Sequence, residues 1–358
     1  MKYRYITSPK GEIVRSARIY TPQEHQLSKD LIRWEAVQVI QQLVKRNFEA
    51  YVVGGSVRDL LLGNTPKDFD VVTSASPERI SSLFREAHII GRRFLLVHVL
   101  FGNIHVEVAT FRATLSHSNA QRWGDIHEDV YRRDFTVNSL YYSPIENTIL
   151  DFVNAMDDIE GRILRPLIPL STIFVEDPVR LIRAVKYSKS LNLSYAGKLK
   201  KKILQSGHLL QHISESRLTE EFIKILASPV FAQIFMEMYE TGLLTYLLPN
   251  IDEFLRKDTG AYESWARDLM ECEQYFLNQS SDQGDWVAAH KKNIKSQSIR
   301  NGRIIYILCK PMLFEMKGSK RRIEQSIIRL RIKTLLEPLI PPNTFISKAM
   351  QLFAQREH

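Results

Sequence analysis

The sequence predicts an α+β protein, with a mixed β-sheet covered by helices in its N-terminal part and a mostly helical remainder. Up to about residue 167, short apolar or alternating runs such as YVVGG, KDFDVVTSA, LLVHVLFG and IHVEVATF are punctuated by glycines and separated by helical repeats. After Pro169 the alternation becomes scarce, while DPVRLIRAVKYSKSL, RLTEEFIKILA, PVFAQIFMEMYETGLL and RRIEQSIIRLRIKTLL all repeat apolar residues at helical spacing.

Taken in order, residues 1–27 are polar and mixed, interrupted by Pro9, Gly11 and Pro22, and read as an arm or loose cap. A first helix follows Ser28, a plausible N-cap, on the repeat Leu31, Trp34, Val37, Ile40, Val44. An apolar strand then runs from Tyr51 into Gly54 and Gly55 and on into a helix ending at Gly63. Asp68 to Thr73 reads as a strand, and PERISSLF as a helix with Ser76 as cap and Pro77 in its first turn. LLVHVLFG and IHVEVATF, separated by Gly102 and Asn103, predict a hairpin, and GRILRPL a last short strand.

The 358 residues leave room for two or three domains, and 44% hydrophobic with 25% charged residues exclude a collagen-like or wholly disordered chain. The formal charge of +9 favours an anionic partner without naming one. Cys272 and Cys309 are too few for a disulfide scaffold, no run is apolar enough to span a membrane, and no secretory leader is evident. The expected location is cytoplasmic.

The chemistry concentrates in the first third. Two negative groups at Asp68 and Asp70, two residues apart in a strand-like context, repel and call for a cation, paired hard oxygens being how Mg²⁺ is commonly held against phosphates, or else mark an exposed strand end or turn. Gly54 and Gly55 sit where a strand turns into a helix, so missing side chains let a triphosphate approach backbone amides, with Arg58 three residues on. Neither GxGxxG nor a lysine-bearing P-loop is present. Glu107 is a candidate third metal ligand, or else supports a network with Arg112. His98 and His105 show no ligand spacing and are assigned to no metal. Lys291, Lys292, Arg321, Arg322 and Arg329 belong to basic runs suited to an RNA backbone, or to a solvated helical face.

YVVGGSVRDLLLGNTPKDFDVVTSA, RRDFTVNSLYY at 132–142 and EDPVRLIRAVKY at 176–187 together resemble the bacterial poly(A) polymerase and CCA-adding tRNA nucleotidyltransferase family, class II. The resemblance implies a nucleotidyltransferase head (28–168), a helical neck and base-recognition region (169–230) and a helical RNA-binding body (231–358). It implies Asp68, Asp70 and Asp134 as catalytic carboxylates, the first two holding two Mg²⁺ ions. It also implies Gly54, Gly55, Arg58, Arg132, Arg133 and Asn138 around the nucleotide, with Glu176, Asp177 and Arg180 reading its base. GRRFLLVHVLFG is more like the poly(A) polymerase version. The implied activity is therefore addition of AMP from ATP to an RNA 3′-hydroxyl with release of pyrophosphate, the alternative being CCA addition to tRNA from CTP and ATP. Two other classes carry less: an RNA-binding adaptor would not need the carboxylates, and a small-molecule nucleotidyltransferase would not need the basic runs.

Overall fold

The computed structural model describes residues 2–7, 12–91, 95–113, 123–281, 294–314 and 325–355. The chain divides into two compact units, Met1–Pro169 and Leu170–His358.

Among the described residues the first unit is built on one nine-stranded sheet in the order β1-β2-β9-β8-β3-β4-β7-β6-β5. Its strands are β1 Lys2–Thr7, β2 Ile13–Tyr20, β3 Ala50–Val53, β4 Val71–Thr73, β5 Ala87–Ile90, β6 Leu96–Phe101, β7 Ile104–Thr110, β8 Leu140–Ser143 and β9 Thr148–Asp151. The sheet is mixed, as expected: β4 and β7 run parallel and the other neighbours antiparallel.

Three expectations are corrected. Residues 2–7 and 13–20, read as part of an arm, are a hairpin whose second strand pairs Arg18 with Asp151 and Tyr20 with Ile149. Pro9 and Gly11 lie outside the described residues, and Pro22 opens a short helix instead of abolishing regular structure. The Asp68–Thr73 strand shortens to Val71–Thr73, leaving both aspartates ahead of it. The strand β5 was not expected at all; three of its four residues are exposed, so it lacks the buried alternation that marks a strand.

Among the described residues six α-helices accompany this sheet: α1 Pro22–His25, α2 Trp34–Val44, α3 Gly55–Leu61, α4 Pro77–Leu83, α5 Ile126–Tyr131 and α6 Ala155–Glu160. Pairing register assigns the sheet's two faces, because directly paired residues share a face. Val52, Val71, Val108 and Val97 are successive partners, all buried, and lie on the face packed by α2 and α4. Helix α2 meets them with Ala36, Val39, Ile40 and Leu43, buried at i, i+3, i+4 and i+7. The opposite face carries Tyr51, Val72 and Ala109, which join Phe111, Tyr141 and Phe152 and the α5 residues Ile126 and Val130 in one apolar cluster. Asp125 caps α5 in a reciprocal box with Glu128, fixing where that helix begins. Glu107 and His98 continue the second face beyond the cluster.

The second unit is mostly helical, as expected: α7 Ile173–Glu176, α8 Val179–Ser190, α9 Leu199–Ser206, α10 Glu215–Leu226, α11 Phe231–Glu240, α12 Leu244–Leu247, α13 Pro249–Lys257 and α14 Thr259–Ser281. Three more helices span Ile294–Phe314, Gln325–Leu336 and Asn343–Gln355. Helix α8 packs on α10 and α11 through Leu181, Ile182 and Val185, with Phe222 and Phe235 fully buried opposite. Among the described residues no helix is long and apolar enough to cross a membrane.

Candidate active site

The turn from β3 into α3 needs glycine. Gly54 has φ +74°, ψ −128°, a conformation that residues with a Cβ rarely adopt. A Cβ there would also stand 3.5 Å from the Arg133 guanidinium, and one at Gly55 would stand 3.4 Å from that of Arg58. The two glycines thus bring backbone and two arginines to one place. Arg58 is nearly buried; it donates to Asp59 Oδ1 at 2.7 and 2.9 Å and makes a short bond to Asn138 Oδ1. Asn138 in turn donates to Asp134 Oδ1 at 2.9 Å.

Asp134, expected as a further catalytic acid, stands directly behind Asn138. The residue is only 7% exposed, and the oxygen that holds Asn138 also accepts from the Phe135 amide at 2.8 Å. Asp134 orients Asn138, and through it Arg58.

Arg132 and Arg133 converge on Asp129, a residue that sequence reasoning missed. Asp129 is fully buried on α5, and its two oxygens accept from Arg132 Nε at 2.8 Å, from Arg133 at 2.8 Å and from the Tyr141 hydroxyl at 2.7 Å. Burial opposes the charge, but Arg133 and Arg132 outweigh it and hold this carboxyl well below the usual carboxylate range. The signal was in the sequence as an acid three and four residues before two arginines on a helix. Tyr141 and Tyr142 are fully buried, the first with its hydroxyl on Asp129.

Asp68, Asp70 and Glu107 form the acidic side of the site. Val71 pairs with Val108, so Asp70, one residue ahead of β4, runs beside Glu107 on β7. The Asp70 carboxyl is pushed up to about 6 by desolvation first, then by Glu107 and Asp68, with Arg133 opposing. Asp70 is an exposed residue, and the two neighbouring carboxylates add to the upward push. Glu107 does not turn to Arg112: its Oε1 lies 3.6 Å from His98 Nε2 and 4.0 Å from His105 Nε2. These three side chains are a candidate metal-ligating group, although neither histidine was expected to be one.

The EDPVR segment lies in the second unit, where Glu176 ends α7 and Asp177 and Pro178 lead into α8. Arg180 NH1 donates at 3.1 Å to both the Ile173 carbonyl and Glu176 Oε2. Asp177 accepts from Arg217 on α10 at 2.9 and 3.0 Å. Arg217, forty residues away in sequence, carried no signal that could have linked it to this motif. Lys291, Lys292, Arg321 and Arg322 lie outside the described residues. Arg329 is described, and donates to Asn343 Oδ1 at 3.0 Å on an exposed surface.

Comparison with known proteins agrees with this geometry. Residues 50–165 match the family model "Poly A polymerase head domain", and residues 194–255 match "Probable RNA and SrmB- binding site of polymerase A". Poly(A) polymerase I of Salmonella typhi is 38% identical over 252 residues, 66% of this chain and 54% of that protein. A CCA-adding enzyme of Geobacillus thermodenitrificans is 36% identical over 239 residues, 64% of this chain and 59% of that one. The crystal structure of the Bacillus stearothermophilus CCA-adding enzyme in complex with CTP superposes with TM-score 0.59 at 28% identity, covering 90% of this chain and 82% of that one. Over most of its length the chain is similar both to poly(A) polymerases and to CCA-adding enzymes, and it spans about half the length of the poly(A) polymerases that it matches. Its matched head segment contains Gly54, Arg58, Asp68, Asp70, Glu107 and Arg133 together.

Proposed function

We propose that the chain adds nucleotides to an RNA 3′-hydroxyl without a template, releasing pyrophosphate. The observation that carries this is the placing of Asp70 beside Asp68 and Glu107 on one side and Arg133 on the other, with Arg133 reaching back to the Gly54 turn. Phosphates need cations and close backbone; the reacting centre needs clustered carboxylates.

Asp68, Asp70 and Glu107 offer only hard oxygens, and desolvation, with Glu107 and Asp68 adding to it, disfavours an unpartnered charge on Asp70, so the set fits Mg²⁺. Two such ions, when bound, supply activation of the 3′-hydroxyl and neutralisation of the leaving pyrophosphate. Arg58 and Arg133 are the phosphate-facing cations, their directions set by Asn138 and Asp129. The glycine turn gives the triphosphate access to main-chain amides. Arg180, oriented by the Ile173 carbonyl and Glu176, and Asp177, oriented by Arg217, supply donors and acceptors for the edge of the incoming base.

Of the two specificities, CCA addition to tRNA from CTP and ATP has the better support, because the solved CCA-adding enzyme resembles the chain over nine-tenths of its length. The ATP-only reading that the sequence favours rests on the 38% identity to poly(A) polymerase I. The test supplies the protein and Mg²⁺ with a tRNA lacking its CCA end and with an unstructured RNA, each with ATP, CTP or both. Sequenced products that stop at CCA on the tRNA support the first reading. Long adenosine tails without CTP support the second, and no extension of either RNA overturns both.

A further inference from the structure

We propose that His98, His105 and Glu107 form a binding site for a transition-metal dication of the Zn²⁺ class, built on the β6–β7 hairpin beside the carboxylates. The hairpin brings the three together without any loop residue. His98 on β6 is the direct partner of Glu107 on β7, and His105 lies two residues before Glu107 on the same strand face. The two imidazoles stack with centroids 4.6 Å apart and planes 19° apart, and both turn Nε2 toward one Glu107 oxygen. All three ligand atoms lie within 4.8 Å of one another. Tetrahedral zinc with ligands at about 2.0–2.2 Å sets its donor atoms roughly 3.3–3.5 Å apart, so the observed 3.6 and 4.0 Å need only a small contraction around an ion.

Donor chemistry separates this site from the one proposed for Mg²⁺. Two imidazole nitrogens and one carboxylate suit zinc, cobalt or nickel, whereas Mg²⁺ prefers oxygen throughout. His105 and Glu107 are solvent-accessible, which leaves an entry path for the ion and room for water to complete its shell.

Glu107 is shared, since its other neighbour is Asp70. An ion on the histidines engages the carboxylate that Asp70 faces, so zinc lowers Mg²⁺-dependent nucleotide transfer. That consequence rests on the function proposed above; the binding itself does not.

The experiment titrates the full chain, stripped with a chelator, with ZnCl₂ in the presence of excess Mg²⁺, followed by calorimetry and by thermal unfolding. Wild type is expected to bind one ion per chain at micromolar affinity or tighter and to unfold at higher temperature with zinc. His98→Ala and His105→Ala are each expected to weaken binding about tenfold or more, since loss of even an outer partner of a metal site costs that much. Asp68→Asn is expected to bind as wild type does. Thermal unfolding without zinc checks that each variant is folded, and His105→Gln serves where alanine destabilises. Absence of zinc binding, or binding that persists in both histidine variants, overturns the site. RNA extension measured with and without zinc then tests the coupling: inhibition is expected in wild type and relief in His105→Ala. Inhibition that is undiminished in His105→Ala, in a protein whose zinc binding is lost, overturns the coupling alone.

Discussion

Asp129 does for the arginines what no surface charge could do. It is fully buried, and it bonds Arg132, Arg133 and Tyr141 at once. Asp129→Asn leaves two guanidinium groups facing a neutral amide and is expected to cost about 3–5 kcal/mol, as breaking a buried pair does. Chemical denaturation measures it. The sign of its pH dependence follows from a carboxyl held below its usual range: the stabilisation is complete above the unfolded value near 4 and is lost as pH falls through the lower folded value. The stability gap between wild type and Asp129→Asn should therefore stay constant from pH 7 to about 5 and shrink below about 4. Asp70→Asn belongs to the same scale but to chemistry; extension is expected to fall by about two orders of magnitude or more with the unfolding curve little changed. Asp68 and Asp70 stood out because two carboxylates so close in sequence repel, yet the same pattern fits an exposed strand end, and both residues lie exposed ahead of β4. Asp129 was harder to read because its partners looked like ligand-facing residues. Arg217 was out of reach, because its pairing with Asp177 depends on how α10 packs against α8.

At the level of elements, the turn from β3 to α3 is the least replaceable piece. Gly54→Ala forces a residue with a Cβ to adopt φ +74°, for an expected loss of about 1–2 kcal/mol. Nucleotide affinity is expected to fall as well, measured by titration with a non-hydrolysable triphosphate. The β6–β7 hairpin was readable from its alternation and its Gly102–Asn103 turn; α2 was readable as a helix, but it starts at Trp34 and of Leu31, Trp34, Val37, Ile40 and Val44 only Ile40 is buried. The β1–β2 hairpin was not, since Lys2, Arg4, Arg15 and Arg18 make it look like a polar tail, and its place is set by pairing with β9 far along the chain. In the second unit, Arg217→Ala releases Asp177 from its ion pair and is expected to alter discrimination between ATP and CTP more than overall RNA affinity. Competition between the two nucleotides is the measurement; unchanged preference counts against a base-reading role for Asp177.

Across the whole molecule, the charge of +9 acts only through where the cations stand. RNA affinity is expected to fall linearly on a log–log plot against salt, with a slope near −0.7 per phosphate engaged for a single strand. Arg329→Gln is expected to flatten that slope by roughly one contact if this arginine meets the backbone. The division into a sheet unit and a helical unit was readable because hydrophobic period changes near Pro169, where one unit ends. The sheet's pairings have a further consequence during synthesis. Strand β2 is made early, but its partner β9 is made about 130 residues later, as the pairing of Arg18 with Asp151 requires. At about 5–20 residues per second, a ribosome leaves that edge without its neighbour for roughly 7–26 seconds. The positive side chains of Arg15 and Arg18 on the waiting strand then serve a second purpose, keeping one nascent chain from pairing with the next.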